Sequence, residues 1–258
     1  MTYANIVVTE RAGIAELKLN RPDRLNAITG AMLEELCDAL DGLVARRDVR
    51  VAVLCGEGRA FAAGVDLKDL EIADTDLAHG DVGAALNEPA RRLTAMIEAV
   101  PFPVIAKVHG ACFTGALELA LACDWIVAAD DTKFGDTHAK LGIRPTWGMT
   151  ARLSDAVGVR RARELSFTAR TFSGTEAAAY GMVTTVLPAD QIDRHVDDLC
   201  QSIAANSADS VAVYKRLYVD YGASVRRTAL ETERAHRPAG LDAKERIADF
   251  LQSMSVRK

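Results

Sequence analysis

Short apolar, β-branched runs alternate along this chain with longer stretches whose apolar positions recur every three or four residues. Residues 5–9 and 14–19 form two such short runs, joined at Arg11, Ala12 and Gly13, and predict a β-hairpin. Pro22 has no N–H for a ladder, so residues 20–24 read as a loop. Thr29 is placed to cap a helix reaching residue 46, with Met32, Leu33, Leu36, Leu40, Leu43 and Val44 on one stripe. Residues 49–55, 103–108 and 124–129 predict buried strands, 87–99 a helix and 114–123 a helix of small residues. A glycine-rich loop spans 56–64, and His109-Gly110 turns the chain. Strand, strand and helix thus recur through the first two-thirds, which predicts an α/β fold with strands buried under helices. Beyond residue 187 the strands stop. Helices over 188–205, 210–221, 225–235 and 242–253 make an all-helical tail, read equally as a lid over the core or as an oligomerisation element.

Composition narrows the classes. The 258 residues suit one large domain, with 49% apolar and 26% charged residues, so wholesale disorder is excluded. A net charge of −5 argues against nucleic acid as a partner, which requires a positive field. The five cysteines show no paired spacing and fit a reducing compartment. No CxxC or HExxH spacing is present, so no metal site is expected. Residues 1–10 do not read as a secretory signal, and the apolar runs fall short of a bilayer span. The expectation is a soluble cytoplasmic enzyme with no membrane partner.

Two glycine-bearing segments follow buried strands. In Gly58-Arg59-Ala60-Phe61-Ala62-Ala63-Gly64-Val65-Asp66-Leu67-Lys68 the small residues let a ligand approach the main chain and leave N–H groups to donate; a plain turn is the other reading. The second, from His109 to Asp124, opens a helix whose first N–H groups have no internal partners. If the loops face each other, the N–H groups of Val65 and Gly115 can hold one developing oxyanion. Glu118 lies one turn into that helix within an apolar run. A carboxylate there is costly unless paired or used for proton transfer, so it is either a catalytic acid–base group or the partner of a buried arginine such as Arg152. The stretch 132–145 reads as a shaped loop offering Asp136 and His138, the latter a proton shuttle or a polar loop group, and Trp147 beyond it can wall a pocket.

Taken together, these residues resemble the crotonase, or enoyl-CoA hydratase/isomerase, family. The supports are Asn20-Arg21-Pro22 with Asn26-Ala27, Phe61 to Asp66, Pro103-Val104-Ile105-Ala106, Gly110, Gly115, Glu118-Leu119-Ala120, Cys123-Asp124, Phe134-Gly135, Leu141-Gly142 and Arg152-Leu153. The resemblance implies an α/β fold of the ClpP/crotonase type: a spiral of ββα units over 1–187 for acyl-CoA binding and catalysis, then a helical trimerisation region over 188–258. Trimers of the family often pair into hexamers. It implies an acyl-CoA thioester as substrate, with coenzyme A part of that substrate and no other cofactor. The thioester oxygen would sit between the N–H groups of Val65 and Gly115. Pantetheine and adenine would lie along Ala62, Ala63, Gly64, Val65, Asp66, Leu67 and Lys68, with Arg24 and Ala27 near the nucleotide.

Hydratases of the family set two glutamates on one water. Glu118 matches the first, but the second position holds His138, and Thr146-Trp147-Gly148-Met149 replaces a more glycine-rich stretch. The expected reaction is addition of water to the 2,3-double bond of an enoyl-CoA, with Glu118 as base and His138 or the water itself returning the proton. The alternatives are isomerisation or specialised dehydration by one carboxylate, and acyl-CoA binding without turnover. Acyl chain length is expected to depend on residues 71–86, a polar, Asp-rich stretch read as a lid that orders on binding.

Overall fold

The computed structural model describes residues 2–70 and 75–255. The hairpin forms as expected: β1 (Ile6–Arg11) pairs antiparallel with β2 (Ile14–Leu19), turning through Ala12 and Gly13 at positive φ. Thr29 accepts a bond from the Met32 N–H at 3.2 Å and starts α1 (Gly30–Val44), whose Met32, Leu33, Leu36 and Leu40 are wholly buried. Each such side chain contributes roughly 1.5–3 kcal/mol by leaving water. There follow β3 (Val51–Gly56), α2 (Leu67–Leu70), α3 (Ala84–Ala99), β4 (Val104–Val108), β5 (Ala111–Phe113) and α4 (Gly115–Ala122). Next come β6 (Trp125–Ala129), β7 (Lys133–Gly135), α5 (His138–Leu141), α6 (Met149–Val157), α7 (Val159–Thr168), β8 (Phe172–Ser173), α8 (Gly174–Ala179) and β9 (Thr185–Leu187). The tail holds α9 (Ile192–Ala204), α10 (Ala208–Tyr221), α11 (Ala223–Ala235) and α12 (Ala243–Ser255).

A six-stranded sheet in the order β1-β2-β3-β4-β6-β9 is parallel after the first hairpin, and β5-β7-β8 form a second sheet. The runs β4–β5–α4 and β6–β7–α5 each place one strand in either sheet before a helix, which generates the spiral. The central strands β3, β4 and β6 are buried on both faces and so are almost continuously apolar, whereas β2, nearer the edge, alternates. Ala52, Leu54, Val104, Ala106 and Ile126 join the large core beneath α1, α3 and α4. Val51, Val53, Cys55, Ile105 and Val127 point the other way, onto Ile192, Val196 and Cys200 of α9. All five cysteines are buried and unpaired.

The structure adds to the sequence reading in two stretches. The expected loop over 132–145 contains β7 and α5, and α3 begins at Ala84 rather than residue 87. Of the expected lid over 71–86, residues 71–74 lie outside the described residues. The remainder is held down by a bridge between Asp76 and Asp81, by the Leu241 N–H donating to Ala78 O, and by an ion pair of Asp81 with Arg144.

The tail does more than one thing. In α10 the buried Lys215 ammonium donates to the carbonyls of Ile97 and Phe102 and to Asp124, at 2.8, 2.9 and 2.8 Å, which pins it to the ends of α3 and β4. Residues of α11 and α12 pack back on loops of their own chain: Glu233 on 148–150, Ala243 against Gly142.

One buried amide clamps the loops that will matter below. Asn26, wholly buried at φ +53, accepts from the Arg21 N–H at 2.8 Å and donates to Glu57 O and Ala60 O at 2.9 and 2.8 Å. Asparagine tolerates this left-handed backbone better than other non-glycine residues. Asn26→Ala strands three buried backbone groups and should lower stability by roughly 2–4 kcal/mol in urea unfolding. A loss below about 0.5 kcal/mol would show that the clamp is not structural.

Candidate active site

Segment 61–66 runs between two neighbouring stretches of chain, tied to each by an isolated bridge and hydrogen bonds. On one side Phe61 N–H donates to His109 O and Ala62 N–H to Ala111 O, at 2.8 and 3.0 Å, with Ala62 bridged in parallel to Cys112. On the other, Ala63 N–H donates to Leu25 O, Ile28 N–H to Gly64 O and Asp66 N–H to Ile28 O. Ile28 therefore spends both its backbone groups on the residues flanking Val65, and the Val65 N–H is directed away from Ile28. Gly64 in turn packs against residues 113 and 114, just ahead of Gly115. Gly64, at φ +106, lets the two chains touch: a β-carbon there would stand 3.1 Å from Phe113 O.

Gly115 is the first residue of α4, so its N–H has no intrahelical acceptor. Thr114 before it is strained, at φ +52 and ψ −113, and is held by its N–H to Gly135 O and by a hydroxyl contact with Thr137. Among the described residues, neither the Val65 nor the Gly115 N–H meets an acceptor. The sequence reading left more donors open than the structure does, because the N–H groups of Ala62 and Ala63 are used in pairing.

Glu118 lies three residues into α4 and is 2% exposed. Its Oε1 accepts from the N–H groups of Trp147 and Met149, both at 3.0 Å, at the start of α6. Its Oε2 stands 3.5 Å from His138 Nε2, longer than a well-formed hydrogen bond. Arg152, the alternative partner, turns elsewhere, donating to Glu98 at 2.8 Å and to Trp147 O at 2.6 Å. His138 is buried, with Nδ1 2.6 Å from Asp136 Oδ1, while Asp136 Oδ2 accepts from Ser166 Oγ at 2.6 Å.

Burial alone would lower the His138 pKa, but the charge and hydrogen bond of Asp136, with Glu118 behind, overcome it and raise it to about 10. Burial raises Asp136, yet the facing imidazolium and the bonds from His138 and Ser166 bring it below the ordinary carboxylate range. At neutral pH His138 is thus a cation between two carboxylates. Among the described residues no group of three or more His, Cys, Asp or Glu side chains is arranged to hold a metal ion.

The structure therefore brings Val65, Gly115, Glu118 and His138 to one place. Arg24 and Lys68 lie exposed, and Ala27, Asp66 and Leu67 half-buried, along the clamped loops; Arg21 pairs with Asp66 at 3.0 Å and donates to Ala27 O at 2.6 Å. Sequence reasoning missed Asn87, Asp81 and Glu233. Asn87 Oδ1 accepts from Trp147 Nε1 at 2.9 Å and from Thr146 Oγ1 at 2.7 Å. Glu233 accepts from the N–H groups of Gly148 and Thr150 at 2.7 and 3.0 Å, and burial followed by the charge of Glu118 raises its pKa. The groups that Asn87 and Glu233 accept from lie 59 to 85 residues away, and Arg144, the ion-pair partner of Asp81, lies 63 away, so no local pattern marks these roles.

Comparison with known proteins places the whole chain in one family. The "2,3-dehydroadipyl-CoA hydratase" of Escherichia coli is 33% identical over 204 residues, covering 79% of this chain and 77% of that protein. The "Probable enoyl-CoA hydratase 1, peroxisomal" of Arabidopsis thaliana is 34% identical over 235 residues, covering 89% and 84%. The crystal structure of an enoyl-CoA hydratase from Mycobacterium avium subsp. paratuberculosis superposes with a TM-score of 0.84 at 27% identity, covering 98% of this chain and 97% of that one. The family profile for enoyl-CoA hydratase/isomerase matches residues 9–247, and the chain belongs to that family.

Proposed function

We propose that the protein is an enoyl-CoA hydratase that adds water across the 2,3-double bond of an acyl-CoA thioester. The observation that carries this reading is the buried Glu118 carboxylate beside two unpaired main-chain amides and opposite a cationic His138. The thioester oxygen takes the N–H groups of Val65 and Gly115. Glu118 removes a proton from water, the oxygen bonds to C3, and the π electrons move through C2 onto the thioester oxygen as an enolate. His138, held protonated by Asp136, delivers the proton to C2 as the enolate collapses. Glu118 then passes its proton to His138 across the 3.5 Å that separates them, which restores both groups, so no cofactor beyond the coenzyme A of the substrate is needed. Pantetheine lies along 62–68, with exposed Arg24 and Lys68 offering charge to the nucleotide phosphates.

A single glutamate also suits isomerisation, in which Glu118 carries one proton between C2 and C4. Binding without turnover fits less well, because it leaves an acid–base pair beside two free main-chain donors without a role. The five buried, unpaired thiols support a reducing, cytoplasmic setting, and among the described residues no helix is long and apolar enough to cross a membrane.

Self-association is part of the proposal. Tyr214, Leu217, Tyr218 and Tyr221 of α10 and Val225 of α11 are 60–93% exposed at helical spacing, an apolar face of the kind that marks protein contacts. It supports a trimer or a dimer of trimers built through the tail.

Hydration is read as loss of crotonyl-CoA absorbance. Glu118→Gln should lower kcat on the order of a thousandfold with little change in KM, since the lost role belongs to the transition state. Unchanged turnover would make Glu118 structural. The alkaline limb of kcat/KM should follow His138 deprotonation near pH 10, vanish in His138→Gln, and move to lower pH in Asp136→Asn. Because folding raises the His138 pKa, its stabilising contribution is full below about pH 6.5 and lost as pH rises toward 10, an alkaline fall in Tm that His138→Gln should reduce. Light scattering should give three or six times 27.7 kDa, and Leu217→Glu should reduce it; a monomeric wild type would remove the assembly from the proposal.

A further inference from the structure

We infer that the Trp147 indole is the stop at the acyl end of this site and restricts the enzyme to short acyl thioesters. The inference rests on the hydratase reading only for where the thioester lies. With the carbonyl oxygen at Gly115 N–H and C2–C3 beside Glu118, the acyl chain must run from the first residue of α4 toward the carboxylate one turn further in. Trp147 touches both ends of that path. A β-carbon on Gly115 would stand 2.4 Å from Trp147 Cζ3 and 3.0 Å from Cη2, so the six-membered ring lies directly on the Gly115 backbone. At the other end the Trp147 N–H donates to Glu118 Oε1 at 3.0 Å.

The ring is not free to swing. Trp147 is 2% exposed, and its carbonyl accepts from Arg152 Nη1 at 2.6 Å. Its Nε1 donates to Asn87 Oδ1, and Asn87 in turn donates to Asp81 Oδ1 at 2.5 Å. Asp81 accepts from the Gly83 N–H at 2.9 Å and is paired with buried Arg144. Turning the indole out would strand a buried N–H and expose a large apolar ring. A ring fixed against this path leaves less room for a long acyl chain than for a crotonyl-sized one.

Saturated acyl-CoAs test this by binding, without any need for turnover. Titration calorimetry of the wild type should show butyryl-CoA binding at least about tenfold tighter than decanoyl-CoA, with free coenzyme A as the reference. Trp147→Gly should invert that ratio while leaving affinity for free coenzyme A unchanged. Asn87→Ala, which keeps the indole but removes its anchor, should narrow the ratio, and it serves if the glycine variant does not fold. A wild type that binds decanoyl-CoA as tightly as butyryl-CoA overturns the inference, as does a ratio untouched in either variant, or a wild type that binds no acyl-CoA. If the ratio behaves as stated but no enoyl-CoA is hydrated, the stop stands and the hydratase reading falls.

Discussion

A single carboxylate, buried where helix, sheet edge and loop meet, governs the architecture of this site. Removing Glu118 from water costs several kcal/mol unless its oxygens are satisfied. Two amides at the start of α6 and the His138 cation supply that compensation. The requirement spreads outward, because amides on a loop satisfy a carboxylate only if the loop is fixed. Glu233 of α11 takes the Gly148 and Thr150 N–H groups of that loop, Arg152 takes the Trp147 carbonyl, and Asn87 takes its indole. The C-terminal helices are thus tied to the reacting centre through the same loop that holds the base.

Replacing a second glutamate by histidine changes the electrostatics of proton transfer. Asp136 pairs tightly with His138, so the group facing Glu118 carries positive charge through the neutral range. In the proposed mechanism this distinguishes acid from base before substrate arrives: one carboxylate is committed to holding the imidazolium, and the other keeps an oxygen at the looser 3.5 Å contact. Asp136 acts through His138, and Ser166 fixes its second oxygen. The oxyanion donors are set independently of this chain, by the pairing of 61–66 with its two neighbours and by the strained turn at Thr114.

Much of this was legible in the residues because the signals are local. A lone carboxylate in the apolar run 116–123 announces itself, and small residues after buried strands mark the two loops. The central main-sheet strands stand out because burial on both faces makes them almost wholly apolar. By contrast β5, β7 and β8 are two or three residues long, too short to show a period, and were absorbed into turns and loops. Asp81 looked like part of a polar, patternless stretch, although it is buried against Arg144 sixty-three residues later. Nothing near Glu233 distinguishes it from the solvated acids of its helix. Trp147 is legible as a pocket wall and as a departure from a glycine-rich pattern, but its contact with Gly115 needs the fold to bring them together.

The account depends on two amides converging on one oxygen beside a buried base. A crystal structure with a non-hydrolysable crotonyl-CoA analogue measures this directly. The carbonyl oxygen should lie within about 3.2 Å of both Val65 N and Gly115 N, with Glu118 and His138 flanking C2 and C3. An oxygen bound by neither amide, or an acyl group lodged away from Glu118, would contradict it.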